Sequence, residues 1–100
     1  AGFDRAEIAA AKAAGCLGMG FGGRELQRRV TAAPAFYQAF AGAASAGLIP
    51  APGGVILRGA DGSVVGAVGV SGDSADNDEI AALAGIAMTH FIADTGAKEA

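Results

Sequence analysis

The chain has 100 residues, a formal net charge of -3 and a single cysteine, Cys16. No apolar run reaches the roughly 20 residues of a membrane span. These values exclude a broadly basic nucleic-acid footprint, an intrachain disulfide and a transmembrane helix. Hydrophobic residues make up 52%, much of it Ala, and Gly stands at 17. A single domain of this size buries about 60–68% of its unfolded surface, and here the core has to come from close backbone contact rather than bulk. With charged residues at only 17%, self-association is expected. No signal peptide is visible and the lone thiol agrees with a reducing compartment, so a cytoplasmic location is expected. The start at Ala1-Gly2-Phe3, without Met, leaves secretion open as the alternative.

Asp4-Arg5-Ala6-Glu7 reads as a capping box opening a helix over residues 5–17, with Ile8, Ala11 and Gly15 on one side. It ends in Gly18-Met19-Gly20-Phe21-Gly22-Gly23. That run matches G-x-G-x-x-G on paper, but it follows a helix instead of a strand, so it reads as a helix C-cap and a connection. A short second helix is expected over residues 24–31, carrying Arg24, Arg28 and Arg29. Glu25 stands four before Arg29, an ordinary stabilising pair. The cluster reads first as a solvated face, with the rim of an anion site as the alternative. Pro34 suits the first turn of a third helix over residues 34–45, in which Phe36, Tyr37 and Phe40 form an aromatic side.

Asp61-Gly62 between two apolar runs is a strong hairpin signal, giving strands over residues 55–57 and 64–70. Asp76-Asn77-Asp78-Glu79 repeats the capping-box format ahead of a helix expected over residues 77–92. The acidic cluster Asp73, Asp76, Asp78 and Glu79 could hold a hard cation. Its spacing is not that of an EF-hand, and helix capping accounts for it better, so no metal site is assigned. Residues 95–100 read as a frayed tail. The fold class is α/β (α+β): an antiparallel sheet flanked by helices in one domain over residues 1–100. A lone hairpin leaves its edges unpaired, so a partner strand is expected from outside these residues or from a second subunit.

Lys12 lies mid-helix among Ala and Gly and reads equally as a snorkelling surface lysine or as a cation lining a pocket. Gly66 and Gly69 in the second strand, with Gly53 and Gly54 before the first, mark close backbone approach by a helix or by a flat ligand. His90, the only histidine, reads as packing beside Phe91 near a helix end, with haem ligation conceivable. Cys16 reads as a small buried thiol. No Ser-His-Asp arrangement can be assembled.

Pro52-Gly53-Gly54, the run Gly66-Ala67-Val68-Gly69-Val70-Ser71-Gly72, and Asp76-Asn77-Asp78-Glu79 resemble the GlcG/HbpS-like family at their spacing. This haem-binding or haem-degrading family includes the C-terminal domain of PduO-type adenosyltransferases. Ile8-Ala9-Ala10-Ala11-Lys12-Ala13 resembles its Lys helix, and the likeness covers about residues 3 to 87. It implies symmetric oligomers and an antiparallel sheet flanked by helices. It also implies that an opening helix and first strand pair, absent ahead of Lys12, belong to the complete domain, so an N-terminally truncated domain is expected. Many members carry Thr three residues after the Lys. This chain has Gly15 there, so no hydroxyl role and no axial ligand are carried over.

The leading expectation is therefore a small-ligand-binding accessory domain for haem or a related tetrapyrrole. Gly53, Gly54, Gly66 and Gly69 would admit the flat ligand and Lys12 would meet a propionate. The alternatives are an enzyme or enzyme subunit acting on a small organic acid, and a structural oligomerisation module. No catalytic residue is assigned.

Overall fold

Gly54 and Gly69 face each other across two antiparallel strands, and this pair decides where the first helix lies. The computed structural model describes residues 4–43 and 47–98. Its element order is α1 (Arg5–Met19), α2 (Gly23–Ala32), α3 (Pro34–Ala43), β1 (Gly54–Arg58), β2 (Val64–Gly69), α4 (Ala75–Ile86) and β3 (Ile92–Asp94). The three strands form one antiparallel sheet in the order β2-β1-β3, an α+β arrangement.

Successive strand residues point to opposite faces, so Gly54, Ile56, Ala67 and Gly69 share one face. Val55, Leu57, Gly66 and Val68 share the other. On the first face a Cβ at Gly69 would stand 1.9 Å from the carbonyl oxygen of Ala9, and one at Gly54 would stand 2.6 Å from Cys16 Sγ. The backbone of α1 therefore rests directly on these two glycines. On the second face Val55, Ala82 and Ile86 form the core, with Leu57, Val68, Val70 and Ala93 packed around it. Val55 and Ile56 are fully buried, one toward each layer; each is worth about 1.5–3 kcal/mol of burial.

Local chemistry sets the ends. Asp4 caps α1 by accepting from the Ala6 N–H at 2.8 Å. Gly20, at φ 80°, closes the helix with its N–H on the Cys16 carbonyl, as the capping reading of that glycine run requires. Gly22 and Gly23 then run hard against Thr95 and Ala51. Asp61 Oδ1 accepts from the Ser63 N–H and hydroxyl and fixes the hairpin turn. In α3 Tyr37 is buried while Phe36 is exposed, so only part of the aromatic side packs inward. Residues 44 and 45, expected as the end of that helix, lie outside the described residues.

Three expectations need correction. The last helix starts two residues earlier and stops at Ile86, not at residue 92. Thr89 Oγ1 donates to the Ile86 carbonyl and accepts from the Phe91 N–H, so the threonine replaces the next helical turn. The residues beyond form β3, which pairs Ile56, Leu57 and Arg58 with Asp94, Ala93 and Ile92. The inner edge of the hairpin is thus covered from within the chain. The third concerns the tail. Its first part is docked rather than frayed: the Thr95 carbonyl accepts from the Arg24 N–H, and a Cβ at Gly96 would stand 2.6 Å from the Glu25 nitrogen. Residues 99 and 100 lie outside the described residues.

The two strand glycines make opposite predictions. Gly69→Ala forces a methyl into the backbone of α1 and is expected to cost more than the about 1–3 kcal/mol usual for overpacking. Gly66→Ala meets only Leu57 Cδ1 at 3.8 Å and is expected to leave the unfolding free energy from urea titration within about 0.5 kcal/mol of the parent.

Candidate functional site

Lys12 is almost fully buried, its side chain only 6% exposed. Its ammonium lies 3.2 Å from Asp78 Oδ2 and donates to the Val70 carbonyl at 3.0 Å. Asp78 Oδ1 accepts from the Gly72 and Asp73 N–H groups. Burial pushes the Asp78 carboxyl upward, but the Asp73 N–H, the Lys12 ammonium and the Gly72 N–H together outweigh it and hold the group below its ordinary 3.8. Gly53, at φ 107°, lies under this pair. A Cβ there would stand 2.9 Å from Lys12 Nζ and 3.1 Å from Asp78 Cβ. The pair therefore ties α1, on one face of the sheet, to α4 on the other, around the end where β1 begins.

A second tie runs beside it. Arg24 Nε donates to Glu79 at 2.8 Å and its Nη2 to Asp76 at 3.0 Å. Arg24 thus belongs to an interhelix clamp, not to a solvated face. The hydrogen bonds to Glu79 raise its already high pKa. The acidic cluster is likewise more than a cap. Ser74 is the N-cap, with Oγ accepting from the Asn77 N–H. Asp76, Asp78 and Glu79 are held by cations from α1 and α2. Among the described residues no group of three or more His, Cys, Asp or Glu is arranged to hold a metal ion.

Lys12, Gly53, Gly54 and Gly69 are thereby brought together, and the space above the glycines is filled by α1. Gly66 stands apart on the opposite face, beside Leu57. Cys16 is fully buried against Gly54, and burial, reinforced by Asp94, pushes its thiol up to about 11, which keeps it unreactive.

Two cavities open elsewhere. The first is an apolar cleft of about 370 Å³ between α4 and the second sheet face. Leu57, Val68 and Val70 floor it, and Ala82, Ile86 and Phe91 wall it. Gly85 also lines it, and nothing lies within 4 Å of a Cβ built there. The His90 ring stacks on Phe91 with centroids 4.6 Å apart. His90 thus lies beyond the end of α4, not within a helix, and packs on Phe91. The second cavity, about 350 Å³ and polar, lies between α2, the far end of β1 and the segment after β3. The apolar cleft could not be read from sequence, because its walls come from the helix stop at Ile86 and the return of β3.

An apolar slot on a small α+β sheet, walled by a helix pinned through a Lys–Asp pair, has the shape in which small-molecule sites are commonly built. The family described as "Haem degrading protein HbpS-like" matches residues 1–87, and the chain belongs to that family. No curated protein and no solved structure matches the chain significantly. No helix is long and apolar enough to cross a membrane.

The Asp78 carboxyl makes a signed pH prediction. Its folded value lies below its unfolded one, so the native state binds fewer protons between the two values. The stabilisation is complete above about pH 4 and is lost as pH falls through the folded value. Urea midpoints from pH 2 to 6 are expected to fall on acidification in the parent. Asp78→Asn should be less stable at neutral pH and show a flatter acid limb.

Proposed function

We propose that the chain binds haem or a related tetrapyrrole in the cleft between α4 and the sheet. The observation that carries this is the cleft itself, apolar on both floor and wall and within the roughly 300–1,000 Å³ of small-ligand sites. Family membership supports the ligand class. The residues present fit the flat apolar ring of such a group, and none of the lining residues is an axial ligand for its iron. Leu57, Val68, Val70 and Ile86 would meet the faces and edges of a flat ring. Charged side chains are absent from the lining, so propionates would point outward to water.

Lys12 serves this reading indirectly. Its ammonium holds the carbonyl of Val70, a residue of the cleft floor, and so fixes the strand end from which the floor is built. Gly53, Gly54 and Gly69 contribute by letting α1 seat on the opposite face, which leaves the α4 face for the ligand. The bound group would supply the iron chemistry; the chain's own residues hold the ring and exclude water from its faces. The outer edge of β2, with Val64 and Val65 exposed, supports self-association through that edge.

The test uses Gly85. Adding a side chain there meets nothing in the fold but fills the cleft. Titration of the parent with haem should give a saturable Soret shift at micromolar concentration. Gly85→Phe should keep the parent's circular dichroism, melt no lower than the parent and yet lose that shift. A Gly85→Phe variant that binds haem as tightly as the parent would place the ligand elsewhere.

A further inference from the structure

The polar cavity lies on the other side of the sheet from the apolar cleft, and its charges are out of balance. Arg28, Arg29, Arg58 and Lys98 line it against only Glu25 and Asp94. All four carboxylate oxygens are engaged. Glu25 takes Arg28 Nη2 at 2.5 Å on one oxygen and Arg29 Nε at 3.1 Å on the other. Asp94 takes Arg58 Nε at 3.0 Å on one and the Gly96 N–H at 2.9 Å on the other. The guanidinium groups are not used up in the same way. Arg28 shares its Nη2 between Glu25 and the Gly96 carbonyl, and its Nε is buried without a hydrogen-bond partner among the described residues. Arg29 commits only its Nε, and its planar head lies 4.0 Å over the Phe21 ring, which holds it at the cavity wall.

Both terminal nitrogens of Arg29 thus make no hydrogen bond among the described residues, and four cations face two carboxylates that are already engaged. Arginine offers planar, paired donors that match the oxygens of a carboxylate or a phosphate. The cavity, at about 350 Å³, is larger than a single inorganic ion needs, and Phe21 gives it an aromatic wall. We propose that this cavity is a second binding site, for a small organic anion whose carboxylate or phosphate group is received by Arg28 and Arg29. It is independent of the tetrapyrrole cleft, with which it shares no lining residue.

The experiment is an NMR titration of the full chain, labelled with ¹⁵N, with inorganic phosphate, phenyl phosphate and malonate in parallel. The expected result is a saturable shift of the Arg29 Nε–H signal and of the Gly96 amide. The organic anion of the preferred class should bind more tightly than inorganic phosphate. Comparing phenyl phosphate with malonate tells a phosphate site from a carboxylate site. Arg29→Gln breaks one exposed pair and leaves the fold intact; it should weaken binding at least about tenfold, the loss typical of one charged hydrogen bond. Arg28→Gln should weaken it further. Arg5→Gln, at the distant start of α1, should change nothing. Haem added beforehand should leave the anion titration unaltered. Absence of saturation with all three anions, or equal weakening by Arg5→Gln and Arg29→Gln, overturns the proposal.

Discussion

The buried pair between Lys12 and Asp78 is the constraint on which the rest depends. An isolated charge at either position would be costly in a core this small. Here each charge is met: Lys12 by a carboxylate and a carbonyl, Asp78 by an ammonium and two backbone N–H groups. The pair joins residues 66 apart in sequence. It can close only because Gly53 has no side chain to occupy the gap. Arg24 repeats the logic a few residues away, gripping Asp76 and Glu79. The first turn of α4 is therefore fixed by cations delivered from the other layer. This is a more demanding task than capping alone and explains why the acids are so dense.

The same constraint divides labour between the two sheet faces. Glycine pairing at Gly54 and Gly69 draws α1 onto one face until backbone touches backbone. That contact closes the face to a flat ligand. The opposite face keeps larger apolar residues, Val55, Leu57 and Val68, and α4 covers only part of them. What stays uncovered is the cleft.

Much of the fold was legible in the residues. Asp4 and Gly20 bracket α1, Asp61-Gly62 makes the hairpin, and Pro34 opens α3, each through chemistry acting within a few residues. The third strand was hidden because Met88, Phe91 and Ile92 continue an apolar spacing compatible with a helix. The side-chain bonds of Thr89 that end the helix leave no periodic signal. The candidate site was half legible. The glycines and Lys12 announced close approach, but their spacing could not say that the approaching object is α1. Nor could it pair Lys12 with a carboxylate so far along the chain. Arg28 and Arg29 were visible as a cluster, while their excess over the local carboxylates depends on Arg58 and Asp94, which only the sheet brings near.

The glycine face is occupied by α1, and the α4 face is the one we propose for the ligand. A crystal structure of the protein grown with haem tests this division. The ring is expected between α4 and the floor of Leu57, Val68 and Val70, with Lys12 still on Asp78 and α1 still seated on Gly54 and Gly69. A ring lying against those two glycines, with α1 displaced and Lys12 released to a propionate, would contradict it.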